Sequence, residues 1–463
     1  MTRTIRTLLL AALLLPALPA SAQPLAPHQQ QARDLLARLV GFRTAAGHGQ
    51  VPPMVDTMVE TLRAGGVPEA DIARLPLEET LALLVRLPGR DAAARPLLFS
   101  AHMDVVDARP EDWQRDPFTL IEEDGWFFGR GSLDNKTGVV SLLSTILRFR
   151  AEGRQPRRTL VFAFIGDEET AQRTTELVAA HEWVREAEYA INTDAGGGIL
   201  GPDGTPLLYL VQGAEKTYAT FDLVAKNPGG HSSRPRADNA IYDLARALLA
   251  IEAHRFETMA TPLTRSYLGA VGQKMPGEIG EALRRWAEDP TDAAAIATIE
   301  KAPEYAATLH TTCVATMLEG GHAENALPQQ ASAAVNCRIF PGVEVDAVGA
   351  ELLRVVDDPK LELKVRGAPS ASPISEMSDE VRAAIEAEVH RRYPGVPVSP
   401  YLESGGTDGR VYRTAGIPTH ATSGIFMKPE HMFAHGLDER IPVAAFYEAL
   451  EHVHALAVSL GGE

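Results

Sequence analysis

The 463-residue chain has only two cysteines, Cys313 and Cys337. This number excludes a disulfide-rich scaffold and a zinc site built mainly from thiolates. Any metal bound by this chain would therefore have to be held by histidine and carboxylate side chains.

Basic residues are also scarce. The sequence has 44 Lys and Arg against 61 Asp and Glu, a formal net charge of −17. Such an acidic surface argues against nucleic acids or anionic membranes as partners. Hydrophobic residues at 45% and charged residues at 23% indicate a soluble globular protein rather than a disordered one.

Apolar runs long enough to span a membrane are lacking too. The most apolar segment, residues 8–18, is about half the ~20 residues that a bilayer requires. It follows Arg3 and Arg6 and precedes Ala20-Ser21-Ala22, the pattern of a secretory signal peptide. We expect cleavage after Ala22 and a secreted or periplasmic protein with no membrane attachment. Because residues 1–22 contain two arginines and no acid, cleavage changes the net charge from −17 to −19.

The length favours two domains over a single core. Over residues 23–215, helix patterns alternate with continuously apolar strands, which is typical of a mainly parallel sheet covered by helices. From 216 to 368, the order β-α-β-β-α-β indicates a small separate sheet, with a helical insertion at 262–305. The first pattern resumes over 369–463. We predict an α/β domain with helices on both faces of its sheet, interrupted by a smaller α+β domain.

Acids and histidines follow several of the predicted strands. In the stretch "GDEET", an apolar strand ends at Gly166 and three acids come directly after it. In open α/β sheets ligands bind at the carboxyl ends of strands, so these loops are expected to converge. Histidine and carboxylate without thiolate suit a catalytic zinc site, or cobalt or manganese. The residues that form this set are His102, Asp104, Asp134, Glu168, Glu169, Asp194 and His435.

Neighbouring acids in this set need not share a task. Adjacent residues leaving a strand point in opposite directions, so Glu168 and Glu169 are expected to differ in role. One can bind metal while the other faces the attacking water, as a two-metal hydrolase requires. Asp104 can orient the imidazole of His102 instead of binding metal. Taken singly, each residue also fits a surface polar residue or a helix cap.

Seven motifs occur in order along the chain: "HMDVV", "GRGSLDNK", "GDEE", "NTD", "GGHSSRP", "GGHAENALP" and "HGLDE". Together they resemble the zinc metallopeptidase family that includes glutamate carboxypeptidase, succinyl-diaminopimelate desuccinylase, aminoacylase-1 and yeast carboxypeptidase S. The resemblance covers nearly the whole chain after the signal peptide. The interval from Asp112 to Phe118, followed by "DGWFFGRG", is most similar to the carboxypeptidase S and N-acyl-amino-acid hydrolase branch.

The resemblance implies a centre with two Zn²⁺ ions, for which Co²⁺ or Mn²⁺ can substitute. His102 and Asp194 would bind one ion, and Glu169 and His435 the other. Asp134 would bridge the two. The implied substrate is a small peptide or an N-acyl amino acid.

The remaining roles also come from the resemblance. Glu168 matches the general base. His231 matches a lid histidine that stabilises the carbonyl oxyanion, contributed by the partner subunit in dimeric members. Asn325 and Arg338 match polar lid residues, of which the arginine holds the substrate carboxylate. A backbone segment near that carboxylate is formed by Gly405, Gly406 and Thr407.

Three features depart from the family or stay open. The small, Gly-rich turn usual after the two glutamates is replaced by residues 170–174, "TAQRT". A homodimer through the lid domain is usual in relatives, but the 262–305 insertion would leave a monomer if it capped that surface. Cys313 and Cys337 are expected to face each other across adjacent strands. Export permits a disulfide, but directly opposed pairs are strained, so we expect free thiols.

The predicted function is cleavage of an amide or peptide bond next to a free carboxylate, as in a carboxypeptidase or dipeptidase. The alternative is deacylation of N-acyl amino acids. A non-catalytic zinc and carboxylate binder would be expected to lack the base, yet Glu168 is present. Phosphoester hydrolysis would be expected to place more basic residues around the metals.

Overall fold

The computed structural model describes residues 24–369 and 371–462. The predicted signal peptide, residues 1–22, lies outside them. None of the helices in these ranges combines the length and apolar character needed to cross a bilayer. The helices are α1 Pro27–Val40, α2 Val51–Ala64, α3 Lys136–Ala151, α4 Arg173–Ala180, α5 Ala240–Ala253, α6 Pro262–Lys274, α7 Gly277–Glu288, α8 Ala293–Ile299, α9 Pro303–Ala306, α10 Val345–Val356, α11 Asp379–Arg392, α12 Gly409–Thr414 and α13 Val443–Gly461.

The strands are β1 Ile72–Leu77, β2 Thr80–Leu87, β3 Leu97–His102, β4 Ile121–Glu123, β5 Trp126–Phe128, β6 Leu160–Ile165, β7 Ala190–Asn192, β8 Gly197–Leu200, β9 Pro206–Glu215, β10 Thr217–Lys226, β11 Gly230–His231, β12 Thr312–Gly320, β13 Ala326–Leu327, β14 Gln330–Ile339, β15 Leu361–Val365, β16 Val398–Glu403, β17 Thr419–Ala421, β18 Phe426–Met427 and β19 Arg440–Pro442.

A ten-stranded sheet forms the larger part of the fold, in the order β1-β2-β6-β3-β7-β17-β9-β8-β18 with β16 beside β9. From β6 through β3 and β7 to β17 the neighbouring strands are parallel. Helices cover both faces. Along β6, Phe162 and Phe164 pack in the core cluster that includes α3 and α13, whereas Val161 and Ala163 pack in the cluster that includes α4 and α12. The predicted α/β class is confirmed.

A separate four-stranded antiparallel sheet has the order β12-β14-β10-β15. Apolar residues of α5 and α10, such as Leu244 and Leu352, pack in one core cluster with Phe221 and Val335 of this sheet. The chain order β10-α5-β12-β14-α10-β15 gives the expected β-α-β-β-α-β pattern. We call this sheet and its two helices the lid.

The helices of the 262–305 insertion pack mainly on the large sheet. Helix α6 contacts β9 and β16. Leu268 and Trp286, both fully buried, share a core cluster with Leu208 of β9. The outer strand of the lid, β12, stays largely exposed, including Val314 and Leu318.

The prediction of free thiols is wrong, because Cys313 and Cys337 form a disulfide. The two residues are direct partners in the antiparallel pairing of β12 with β14. Directly opposed residues place their side chains on the same face of a sheet, close enough to bond. The bond joins the outer strand of the lid to the strand beside it.

Candidate metal centre

The carboxyl ends of three adjacent parallel strands bring the predicted ligands together. β3 ends at His102, β6 leads into Asp167, Glu168 and Glu169, and β7 is followed by Asp194. Because β6, β3 and β7 are neighbours, these ends meet at one edge of the sheet. Asp134 lies just before α3 and His435 lies in the loop before β19, and both reach this edge.

Asp134 lies between the two histidines. Its Oδ1 is 2.9 Å from Nε2 of His102, and its Oδ2 is 3.1 Å from Nε2 of His435. His102 Nε2 is also 3.1 Å from Oδ1 of Asp194, and His435 Nε2 is 2.9 Å from Oε1 of Glu169. The structure therefore groups all five predicted ligands, with one oxygen of Asp134 toward each half. The peptide bond between Asp134 and Asn135 is cis.

The pKa values of the cluster reflect its excess of acids. Burial, with a contribution from Asp194, raises the pKa of the Glu168 carboxyl well above its usual range. Burial also raises the pKa of Asp194 to about 7, although His102 opposes that shift. Hydrogen bonds to Asp134 and Glu169 raise the pKa of the His435 imidazole to about 10. The surrounding carboxylates raise the pKa of both imidazoles, at His102 against the opposing effect of burial.

The residues present fit divalent cations. Donor atoms of His102, Asp134 and Glu169 lie within 4.8 Å of one another, as do those of His102, Glu168 and Asp194. Imidazole and carboxylate donors suit zinc, and cobalt or manganese accept the same donors. A cation between them would offset the burial, and the weaker repulsion from neighbouring acids, that raise the pKa of Asp194 and Glu168.

Asp104 contacts the acidic loop more closely than it contacts the imidazole. Its two carboxylate oxygens each accept a backbone N–H, from Glu168 and from Glu169, both at 3.0 Å. Nδ1 of His102 lies 2.9 Å from the backbone carbonyl oxygen of Asp104 and 3.7 Å from Oδ1. Asp104 thus connects the end of β3 with the loop that follows β6.

A buried acid that the sequence patterns do not single out holds the loop carrying Asp134. Glu439 is fully buried, and its carboxylate accepts the backbone N–H groups of Gly131, Leu133 and Asp134 and a hydrogen bond from Arg130. The sequence signal was present, since Glu439 ends the stretch "HGLDE". Nothing in the motif, however, distinguishes a buried loop-binding acid from a solvated one.

The predicted site residues of the lid form two groups apart from the candidate metal ligands. His231 and Asn325 are exposed neighbours, joined where Ser232 N–H donates to the backbone carbonyl of Asn325 at 3.0 Å. In the described parts of the chain, neither hydrogen bonds to a residue of the cluster. Arg338 donates to the backbone carbonyl of Ser404 at 3.3 Å, next to the predicted segment of Gly405, Gly406 and Thr407.

That segment rests on a buried ion pair. Thr407 N–H donates to Oε2 of Glu215 at 2.6 Å, and Oε1 of Glu215 accepts from Arg413 at 2.6 Å. Both charged side chains are almost completely buried. The structure therefore places Arg338 beside a backbone segment that a buried ion pair supports.

A cavity of about 370 Å³ adjoins the cluster. Asp134 and Asp194 lie in its wall at one side, and Glu403, just before the Ser404 contact of Arg338, lies in its wall as well. The remaining lining is mostly apolar and includes Leu133, Ile199, Leu210, Ile425, Met427 and Met432.

A metal-dependent hydrolase is the class of protein that this fold and this cluster define. Residues 98–459 match the profile of Peptidase family M20/M25/M40, and the chain belongs to that family. Among curated proteins, it is 27% identical to human N-fatty-acyl-amino acid synthase/hydrolase PM20D1, covering 82% of this chain and 76% of that protein. It is 24% identical to the probable carboxypeptidase S-like 2 of Dictyostelium discoideum, covering 81% and 73%.

Solved structures share the fold over most of the chain. Human carnosine dipeptidase 1 superposes with a TM-score of 0.67 at 16% identity, covering 94% of this chain and 96% of that one. The M20 family metallo-carboxypeptidase Sso-CP2 of Sulfolobus solfataricus superposes with a TM-score of 0.68 at 18% identity, covering 92% and 98%.

Proposed function

We propose that this chain is an exported di-zinc hydrolase that cleaves an amide or peptide bond next to a free carboxylate. The observation that carries the proposal is the placement of Asp134, with one carboxylate oxygen toward His102 and the other toward His435. Zn²⁺ ions would be held by His102 and Asp194 on one side and by Glu169 and His435 on the other, with Asp134 between them. When bound, the ions polarise the substrate carbonyl and lower the pKa of a water molecule.

Glu168 is the proposed general base. A carboxylate oxygen of Glu168 lies within 4.8 Å of His102 and Asp194 donor atoms, so it can reach a water held between the ligands. It takes a proton from that water during attack on the carbonyl and returns it to the leaving amine. Burial of Glu168 raises the pKa of its carboxyl, which favours a group that both accepts and donates a proton.

The proposed carboxylate site lies at the edge of the lid. Arg338 supplies positive charge beside the backbone of residues 404–407, and its guanidinium stacks 4.7 Å from the ring of Tyr218. An arginine fork binds a carboxylate through two N–H groups. The N–H groups of Gly405 and Thr407 already donate to Glu403 and Glu215, so Arg338 is the main donor of this proposed site. We propose that Arg338 and the Gly405–Thr407 segment bind the substrate carboxylate.

The lid is also the proposed dimer interface. On β12, Val314 is 59% exposed and Leu318 68% exposed, and on α5 Leu249 is 64% exposed. An outer strand with unpaired backbone groups and apolar side chains can pair with a second copy of itself. His231 and Asn325 are exposed on the same domain, so in a dimer they could complete the partner's site by stabilising the carbonyl oxyanion.

The apolar cavity favours a second candidate, deacylation of N-acyl amino acids. Its lining of aliphatic side chains and methionines suits an acyl chain or a large apolar side chain better than a charged one. The similarity to N-fatty-acyl-amino acid synthase/hydrolase supports the same candidate.

A panel of dipeptides and N-acyl amino acids, assayed with Zn²⁺ and after chelation, tests the proposal and separates its two forms. Glu168→Gln is expected to abolish turnover, because an amide cannot accept the proton. The matched control is Glu176→Gln, an exposed acid on α4. Turnover that survives in Glu168→Gln, or that persists without metal, would contradict the mechanism. Activity on phosphoesters alone would point to the other two-metal chemistry.

Export is tested separately. Mass spectrometry of the mature protein is expected to show a chain that begins at Gln23, after cleavage at Ala22. An uncleaved chain in the extracellular or periplasmic fraction would contradict the predicted cleavage site.

A further inference from the structure

The turn after Glu168 and Glu169 contains an unusual buried glutamine. Gln172 lies where the related family has a small, Gly-rich turn, and its backbone is left-handed, with φ 54° and ψ 24°. This region suits glycine and is unfavourable for a residue with a long side chain. Gln172 is nevertheless buried. An unfavourable backbone retained at a buried polar residue suggests that its side chain has a specific task.

The side chain of Gln172 connects Arg410 to the proposed base. Nη2 of Arg410 donates to Oε1 of Gln172 at 2.6 Å. Nε2 of Gln172 then donates to Oε1 of Glu168 at 2.8 Å. The amide has only one favourable orientation, since the opposite one would place its NH₂ against the guanidinium and its oxygen against the carboxylate.

We propose that Gln172 is a positioning residue for Glu168, with Arg410 fixing the amide. The bond to Oε1 restrains rotation of the Glu168 carboxylate, so the other oxygen is presented to the water. Oε2 of Glu168 has no hydrogen-bond partner within residues 24–369 and 371–462, which leaves it available for proton transfer. The inference rests on the proposed role of Glu168 as the base, and it assigns a function to the "TAQRT" turn that the family resemblance does not.

Two substitutions of Gln172 separate this role from a structural one. Gln172→Met keeps the length of the side chain and removes the amide. Gln172→Gly suits the left-handed backbone, so it removes the amide without adding strain. Both are expected to lower kcat by about 10- to 100-fold, the effect of losing a hydrogen bond to a charged group, and to leave KM within about twofold. The melting temperature of Gln172→Gly is expected to match that of the wild type.

Arg410 supplies a second, independent measurement. Arg410→Met is expected to lower kcat by less than Gln172→Met, because the amide remains but loses its fixed orientation. In the Gln172→Met background, Arg410→Met is expected to cause no further fall in kcat, since the two residues act through one path. Arg173→Met is the matched control, an exposed arginine of the same turn that pairs with Glu78. It is expected to keep the wild-type kcat.

The outcomes distinguish this inference from the proposed function. If Glu168→Gln is inactive and Gln172→Met keeps the wild-type kcat, the positioning role is wrong and the base assignment stands. A raised KM with unchanged kcat in both Gln172 variants would also overturn it, by placing Gln172 in substrate binding. If Glu168→Gln stays active, the proposed function itself fails.

Discussion

Replacement of Glu439 with glutamine is expected to disturb the metal centre without touching any ligand. Oε1 of Glu439 accepts the N–H groups of Leu133 at 2.8 Å and Asp134 at 3.0 Å. Oε2 accepts the N–H of Gly131 at 3.0 Å and Nη1 of Arg130 at 2.8 Å. A glutamine amide has one oxygen, so in either orientation its NH₂ group meets two N–H donors.

The expected loss of stability follows from the number of hydrogen bonds that the substitution removes. Two hydrogen bonds to a charged acceptor disappear, and buried Arg130 loses its negatively charged partner, although it still donates to the carbonyl oxygens of His435 and Gly436. Together these changes are expected to lower the free energy of unfolding by about 3–5 kcal/mol. Because Asp134 is held by the same carboxylate, the occupancy of zinc should fall as well.

Urea unfolding of the metal-free protein and elemental analysis of the purified variant measure the two effects separately. The control is Glu362→Gln, an exposed acid of β15 that pairs with Lys226, which is expected to unfold and bind zinc like the wild type. Equal unfolding midpoints for the two variants would refute the assignment of Glu439 as the support of this loop. Normal zinc content in a destabilised Glu439→Gln would refute only its link to the metal centre.

Three further predictions concern the metal, the disulfide and the dimer. Chelation is expected to abolish turnover and added Zn²⁺ to restore it in a direct activity assay; turnover that survives chelation contradicts the metal centre. Thiol titration of denatured, unreduced protein is expected to find no reactive group, whereas two would contradict the bond between Cys313 and Cys337. Leu318→Glu is expected to lower the dimer fraction in sedimentation analysis, while Leu177→Glu, a change at an exposed leucine of α4, leaves it unchanged; a monomeric wild type would remove the proposed interface.

The grouping of the candidate ligands could be predicted from sequence because their positions follow from local patterns. An apolar strand that ends in His102 or in the acids after Gly166 places those side chains at the carboxyl edge whatever the loops do. Because the neighbouring strands are parallel, their carboxyl ends then meet at the same edge of the sheet. Strand and helix periodicities lie in consecutive residues, so the order of elements in the two separate sheets could be predicted as well.

Supporting contacts could not be predicted, because they join segments far apart in the chain. Gln172 meets Arg410 across 238 residues, and Glu439 meets Gly131 across 308. No local periodicity encodes such pairs. The apolar faces of the insertion helices do not specify which surface they pack against, so their packing on β9 could not be predicted. The sequence predicts the opposed register of Cys313 and Cys337 but not the bond between them.

The three acids that follow β6 are tolerated because each is bound by a different part of the molecule. Asp167 accepts the backbone N–H groups of Arg173 and Thr174 at 2.8 and 3.0 Å, so the first turn of α4 stabilises its charge. Glu168 accepts a hydrogen bond from the amide of Gln172, and Glu169 forms a hydrogen bond with the imidazole of His435. Asp167 is thus stabilised by the fold itself. The proposed cations would instead neutralise Glu168, Glu169, Asp134 and Asp194, which lie beside His102 and His435.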